Sequence, residues 1–143
     1  MNYQNIIPEE LVEAMIKDRK VRVAIVRESH WYFFHFYFAH YVKYPTAKFK
    51  AEIFELTEKN EGNLFIVAFR GSSKSTILTT SYPIWAILGK QQKKFVLILC
   101  QTQSQAKQHM MNLRRELESN TILKNDLSAF SAQCTSKTSM QFY

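Results

Sequence analysis

The chain has 143 residues, 46% hydrophobic and 22% charged, with 3 glycines and 3 prolines. This balance excludes a disordered or fibrous polypeptide and leaves room for one globular domain with a modest core. A formal net charge of +7 points to a polyanionic partner, whether nucleotide, nucleic acid or an acidic membrane face.

Two cysteines, Cys100 and Cys134, are too few for a disulfide framework and fit a reducing compartment. Residues 1–7 carry neither the cationic start nor the apolar run of an export signal, so a cytoplasmic location is expected.

Pro8, Glu9 and Glu10 suit a helical first turn, and Leu11, Val12, Met15 and Ile16 repeat at helical spacing, which predicts a helix to about Lys20. Residues 21–27 extend that helix or form a short strand; helix is the preferred reading. The stretch HWYFFHFYFAHYV follows, with eight aromatic side chains and three histidines between His30 and Tyr41. It is too short for a membrane span. A spacing of five turns a helix by about 140° and changes faces on a strand, which separates His30, His35 and His40 as metal ligands. A packed aromatic helix with hydrogen-bonded histidines is the preferred reading, with an exposed aromatic docking face as the other.

Pro45 breaks the segment, and residues 47–58 carry the stripe of another helix. Asn60–Asn63 is turn chemistry. Leu64–Phe69 and Phe95–Cys100 are continuous apolar runs, expected as strands buried on both faces of a parallel sheet. Between them, Ser75–Leu88 reads as a helix kinked at Pro83 and ended by Gly89, followed by the basic loop KQQKK. Thr102 and Gln105 make a capping box for a helix with Ala106, Met110, Leu113 and Leu117 on one face and Asn120 as its stop. Residues 122–130 suit a short helical turn, and the remaining tail has no clear pattern.

Strand, loop, helix, strand, helix over residues 64–119 is the order of a parallel α/β sheet with flanking helices. At its first turn stands VAFRGSSKSTIL, residues 67–78. It looks like a phosphate loop of the G-x-x-x-x-G-K-[ST] kind in which Ala68 and Ser73 replace the two glycines; the plain alternative is a lysine and two hydroxyls capping an ordinary helix. A strand end, a turn of free N–H groups and a helix N-terminus are what phosphate binding requires. Lys74 would reach the β and γ phosphates, Ser75 would place its hydroxyl on Mg²⁺, and Thr76 adds a second hydroxyl. Ser73 must then accept whatever φ/ψ the position before the lysine demands, and a non-glycine at positive φ costs of order 1 kcal/mol.

The motif AFRGSSKST, with YPIWAILGKQQKKFVLILCQTQSQAKQHMMNLRRELESN after it and the aromatic lead-in before it, resembles the ATPase domain of phage terminase large subunits over residues 30–127. These are the motors that pack DNA into proheads. The resemblance implies a partial P-loop NTPase fold: a helical lead-in over residues 1–60, the first half of the ATPase domain over 61–127 and a divergent tail over 128–143. It implies a Walker A loop of Arg70, Gly71, Ser72, Ser73, Lys74, Ser75 and Thr76 that binds ATP with Mg²⁺. Gln101, Thr102 and Gln103 would form a segment coupling nucleotide state to DNA. Double-stranded DNA, a small terminase subunit and a portal are the implied partners, in the cytoplasm of a bacterial host and away from membranes, with self-association possible.

The family also needs an acidic strand and a nuclease domain, and the sequence carries neither pattern. It therefore resembles the N-terminal part of such a protein, truncated as in a decaying prophage, with slight hydrolysis expected. Two alternatives stand beside it. One is a small basic nucleic-acid-binding module using Lys90, Lys93, Lys94, Arg114 and Arg115, against the blander reading of a solvated face. The other is a divergent helicase-like nucleotide-binding protein.

Overall fold

A computed structural model describes residues 8–59 and 62–126. Its helices are α1 (Glu9–Lys17), α2 (Arg19–Glu28), α3 (His30–Tyr37), α4 (Lys48–Lys59), α5 (Tyr82–Leu88) and α6 (Gln103–Ser119). A 3₁₀ turn, Ala39–Tyr41, follows α3; a π-helical segment, Thr76–Ser81, leads into α5; and residues 121–126 are helical.

Polar caps divide the N-terminal helices. Asp18 ends α1 and accepts a hydrogen bond from the Lys20 amide at 2.7 Å. The expected continuation to Lys20 is thus interrupted at Asp18, because that carboxylate satisfies an amide that the new helix would leave bare. Ser29 repeats the device, accepting from the Tyr32 amide at the start of α3.

The aromatic stretch forms the centre of the molecule. Phe33, Phe38, Phe54, Trp85 and Met15 are fully buried, and Phe34 stacks on Phe38 with ring centroids 5.8 Å apart. Truncating a ring at such a site to alanine costs about 3–5 kcal/mol. The Trp85 indole donates to the Val26 carbonyl at 3.1 Å, joining α5 to α2. Gly89 then lets the chain pass: a Cβ there would lie 2.6 Å from the Trp85 carbonyl oxygen.

Three histidines separate onto different partners. Thr57 donates its hydroxyl proton to the Phe54 carbonyl, so its oxygen accepts from His30 Nδ1–H at 2.8 Å and His30 Nε2 accepts from Ser81 at 3.0 Å. Complete burial lowers the His30 pKa to about 3, with a smaller push from His35. His35 donates from Nδ1 to the Trp31 carbonyl at 2.9 Å and accepts from Thr46 at Nε2; burial lowers its pKa as well. His40 lies 3.2 Å from Glu116.

The C-terminal described residues are fastened to this core. Asn120 caps residues 121–126 by accepting from the Leu123 amide and donates to the Tyr37 carbonyl at 2.7 Å. Asp126, 0% exposed, receives two hydrogen bonds from Arg22, at 2.6 and 2.8 Å, one from Arg19 and one from the Tyr37 hydroxyl. Burial alone would raise its pKa, but the hydrogen bonds from Arg22 and Tyr37 outweigh that and hold it below the usual carboxylate range.

The α/β expectation is corrected by this architecture. No strand and no sheet occur among the described residues. Leu64–Phe69 and Phe95–Cys100, expected as parallel strands, lie singly against helices. Their burial alternates: Ile66, Ala68, Val96, Ile98 and Cys100 are half-buried, whereas Phe65, Val67, Phe69, Phe95, Leu97 and Leu99 are exposed. That is the two-residue period of extended chain. A strand is defined by its ladder partner, and none of the described residues supplies one, so apolar runs long enough for strands remain irregular. Residues 60 and 61 of the expected turn, residues 127–130 of the expected helical turn and the tail over 128–143 lie outside the described residues.

Candidate functional site

The loop between Phe69 and Lys74 holds two of the three positive-φ residues found among the described residues. Gly71 has φ 85° and Ser73 φ 64°, the left-handed region in which a serine costs about 1–2 kcal/mol. The positive φ expected at the residue before the lysine is thus present. Ser72, between them, is 1% exposed, and its hydroxyl has no hydrogen-bond partner. Helix begins at residue 74.

The helix opens in an unusual register. Over Thr76–Ser81 it is π-helical, and the Tyr82 amide bonds the Ile77 carbonyl five residues back. Thr79 adds a hydrogen bond from its hydroxyl to the Ser75 carbonyl. Pro83 has no amide to donate to Thr79, and α-helical register resumes around it. The expected kink at Pro83 is therefore a change of register that begins seven residues earlier. Insertions of this kind often accompany functional sites.

Beside the loop lies a cavity of about 300 Å³, at the small end of the range for ligand pockets. Gly71, Ser73 and Thr76 form one wall. Phe34, Tyr41, Tyr44 and Phe54 give it aromatic surface, and Lys43 and Lys50 give it positive charge; no carboxylate lines it among the described residues. Lys50 crosses from α4 to the loop and donates to Ser73 Oγ at 3.2 Å. Thr46, held by His35, completes the rim. Tyr41 donates to Glu116 at 2.8 Å; burial, followed by that hydrogen bond, pushes its pKa up to about 12, so the phenol stays protonated.

Of the residues expected at the site, Gly71, Ser73 and Thr76 face this cavity, while Arg70, Ser72, Lys74 and Ser75 do not line it. Lys74 folds back and donates to the Phe69 carbonyl at 3.1 Å. Ser75 is exposed. Gln101, Thr102 and Gln103 are also exposed; Thr102 accepts from the Gln105 amide at 3.3 Å, the cap that its spacing predicts. Helix α6, which begins at Gln103, packs on the π segment.

The sequence reading missed Lys50, Lys43 and Tyr44 as walls of the site. Lys50 and Ser73 are 23 positions apart, and no periodicity joins them. For the basic-module reading, Lys90, Lys93, Lys94 and Arg115 are exposed, while Arg114 is paired with Glu118 at 2.7 Å.

No group of three or more His, Cys, Asp or Glu side chains suited to a metal occurs among the described residues. Nor is any described helix long and apolar enough to cross a membrane. No family model, curated protein or solved structure matches the chain.

Proposed function

We propose that the loop Arg70–Thr76 and the adjoining cavity bind a nucleoside triphosphate, ATP with Mg²⁺, and that the chain is the ATP-binding part of a phage terminase-like DNA-packaging motor. The observation that carries the binding reading is the left-handed pair Gly71 and Ser73 set against a cationic, carboxylate-free cavity. Backbone amides in a turn of this kind make a concavity for anions. Lys50 already reaches the loop, and Lys74 needs only to exchange a carbonyl for a phosphate, the stronger partner of a charged donor. The aromatic wall suits the base and ribose.

Mg²⁺ would arrive with the nucleotide, held chiefly by phosphate oxygens, with the exposed Ser75 hydroxyl as its protein ligand. Water activation has no obvious agent among the described residues, since Asp126 is engaged by two arginines and Glu116 by Tyr41. Binding with slight turnover is the expected behaviour. DNA and the other packaging proteins would be partners in the assembled motor.

Titration calorimetry with Mg-ATP tests the reading. Wild type should bind, and Lys74→Ala should bind at least about tenfold more weakly. Equal binding by the two proteins would remove the site.

A further inference from the structure

Two stretches of this molecule have the chemistry of strands without a ladder. LFIVAF, residues 64–69, and FVLILC, residues 95–100, contain no charge, proline or glycine. No backbone hydrogen bond joins residues 64–68 or 95–100 to another element among the described residues. Such a row of open amides and carbonyls is satisfied by another extended chain and by little else. The side chains ask for cover as well: Phe65 is 92% and Val67 99% exposed, and Phe69, Phe95, Leu97 and Leu99 are also largely open. Taking about 200 Å² for a whole aromatic residue, Phe65 and Phe69 leave roughly 300 Å² uncovered on the first segment and Phe95 roughly 150 Å² on the second. The first alone is more than a third of the ~800 Å² that each partner contributes to a standard stable interface, before Val67 is added.

We propose that a second copy of this chain provides that cover, through antiparallel pairing of each segment with its own counterpart. The register follows from the alternation. For the exposed faces of two copies to lie on one side, residues 65, 67 and 69 must oppose one another, which sets a twofold axis through Val67 and places Phe65 opposite Phe69. The same reasoning centres the other segment on Leu97 and places Phe95 opposite Leu99.

Charges are compatible with both registers. Arg70 then falls opposite Leu64, and Lys94 opposite Cys100, so no cation meets a cation across the pair. Two edges with two separate axes do not close on a dimer; they allow growth past it. The nucleotide reading is not needed for this pairing, since neither segment lines the cavity.

The test is sedimentation velocity over a concentration series of the full chain, with infrared spectra of the same samples. Wild type should grow past a dimer while gaining strand signal. Salt should strengthen the association by screening a net charge of +7, the opposite of its effect on nucleic-acid binding. Val67→Lys places two like charges face to face on the first axis, and Leu97→Lys does so on the second. Each single variant should stop at a dimer, and the double variant should stay monomeric, with self-association at least about tenfold weaker. Both side chains are exposed, so the dilute variants should melt as wild type does.

Three results would overturn the proposal. These are a wild type that is monomeric throughout, association without strand signal, and assembly that the double variant leaves intact. A monomeric wild type that nevertheless captures an apolar strand peptide would assign the edges to a foreign chain.

Discussion

The N-terminal helices and residues 62–102 differ in what they leave unsatisfied. In the first region each buried polar side chain has a partner: His30 is held by Thr57 and Ser81, His35 by Trp31 and Thr46. The second region holds a buried hydroxyl without one, Ser72, two non-glycine residues at positive φ, Ser73 and Gln92, and a row of exposed phenylalanines. Unmade hydrogen bonds and left-handed backbone each cost free energy. The helices satisfy their buried polar groups, and the loop region leaves one hydroxyl unpaired and carries left-handed backbone.

The strongest way to break this contrast is at Asp126. It is a buried carboxylate that joins residues 121–126 to α2 and α3 through Arg19, Arg22 and Tyr37. Asp126→Ala would leave the Arg22 guanidinium without its counter-ion in a largely buried place, at a cost of about 3–5 kcal/mol. Urea denaturation should show that loss while the cavity residues remain in place. A change below about 1 kcal/mol would move the clamp out of the stabilising region.

Acid sharpens the same contrast. His30 is neutral in the folded chain down to about pH 3, whereas its unfolded value is near 6.5. The unfolded state therefore binds a proton that the folded state refuses, and the stability present above about pH 6.5 is lost as pH falls towards 3. One such group contributes a slope of about 1.4 kcal/mol per pH unit. His35, also lowered by burial, adds its own share. His30→Gln should remove about one group's slope between pH 6 and 4 while leaving that of His35. Below about pH 4 the depressed carboxyl of Asp126 adds a further loss, of the same sign, in both proteins. An unchanged slope in the variant would mean that His30 is accessible to protons in the folded state.

Within the loop region the expected effects are smaller and are read in affinity. Lys50→Ala removes the cation that reaches Ser73 from α4 and should weaken Mg-ATP binding by about tenfold with the melting temperature little changed. Lys50 projects from a well-formed helix, so the comparison isolates charge from folding. If affinity holds and stability falls instead, the lysine belongs to the structural region and the cavity loses one of its two cations.

Legibility in the sequence followed locality. The aromatic helix, the Thr102 cap and the positive φ at Ser73 depend on a few neighbouring residues, and they stand where spacing places them. The sheet did not, because LFIVAF and FVLILC specify an extended, apolar chain but cannot specify the strand that would lie beside it. Asp126 and Arg22 are separated by 104 positions, and an isolated Asp in KNDL carries no trace of the two arginines that surround it. The same holds for the Lys50 wall of the cavity. The π register over Thr76–Ser81 leaves no mark in the spacing of apolar residues, and Pro83 alone announces only a kink.

Ser73 lies where the two regions meet, since it combines left-handed backbone with the hydroxyl that Lys50 contacts. Ser73→Gly relaxes the backbone, worth about 1–2 kcal/mol, but frees the unfolded chain by about 0.4–1 kcal/mol and removes the Lys50 contact. The net expectation is a gain of roughly 0.5 kcal/mol in denaturation experiments. Ser73→Ala keeps the strain and loses only the hydroxyl, so it should be slightly less stable than wild type. Nucleotide affinity then separates the two contributions. A glycine that binds Mg-ATP as well as serine does makes the left-handed turn the essential element of the cradle. A glycine and an alanine that lose affinity as far as Lys50→Ala does make it the lysine, held in place by one hydroxyl.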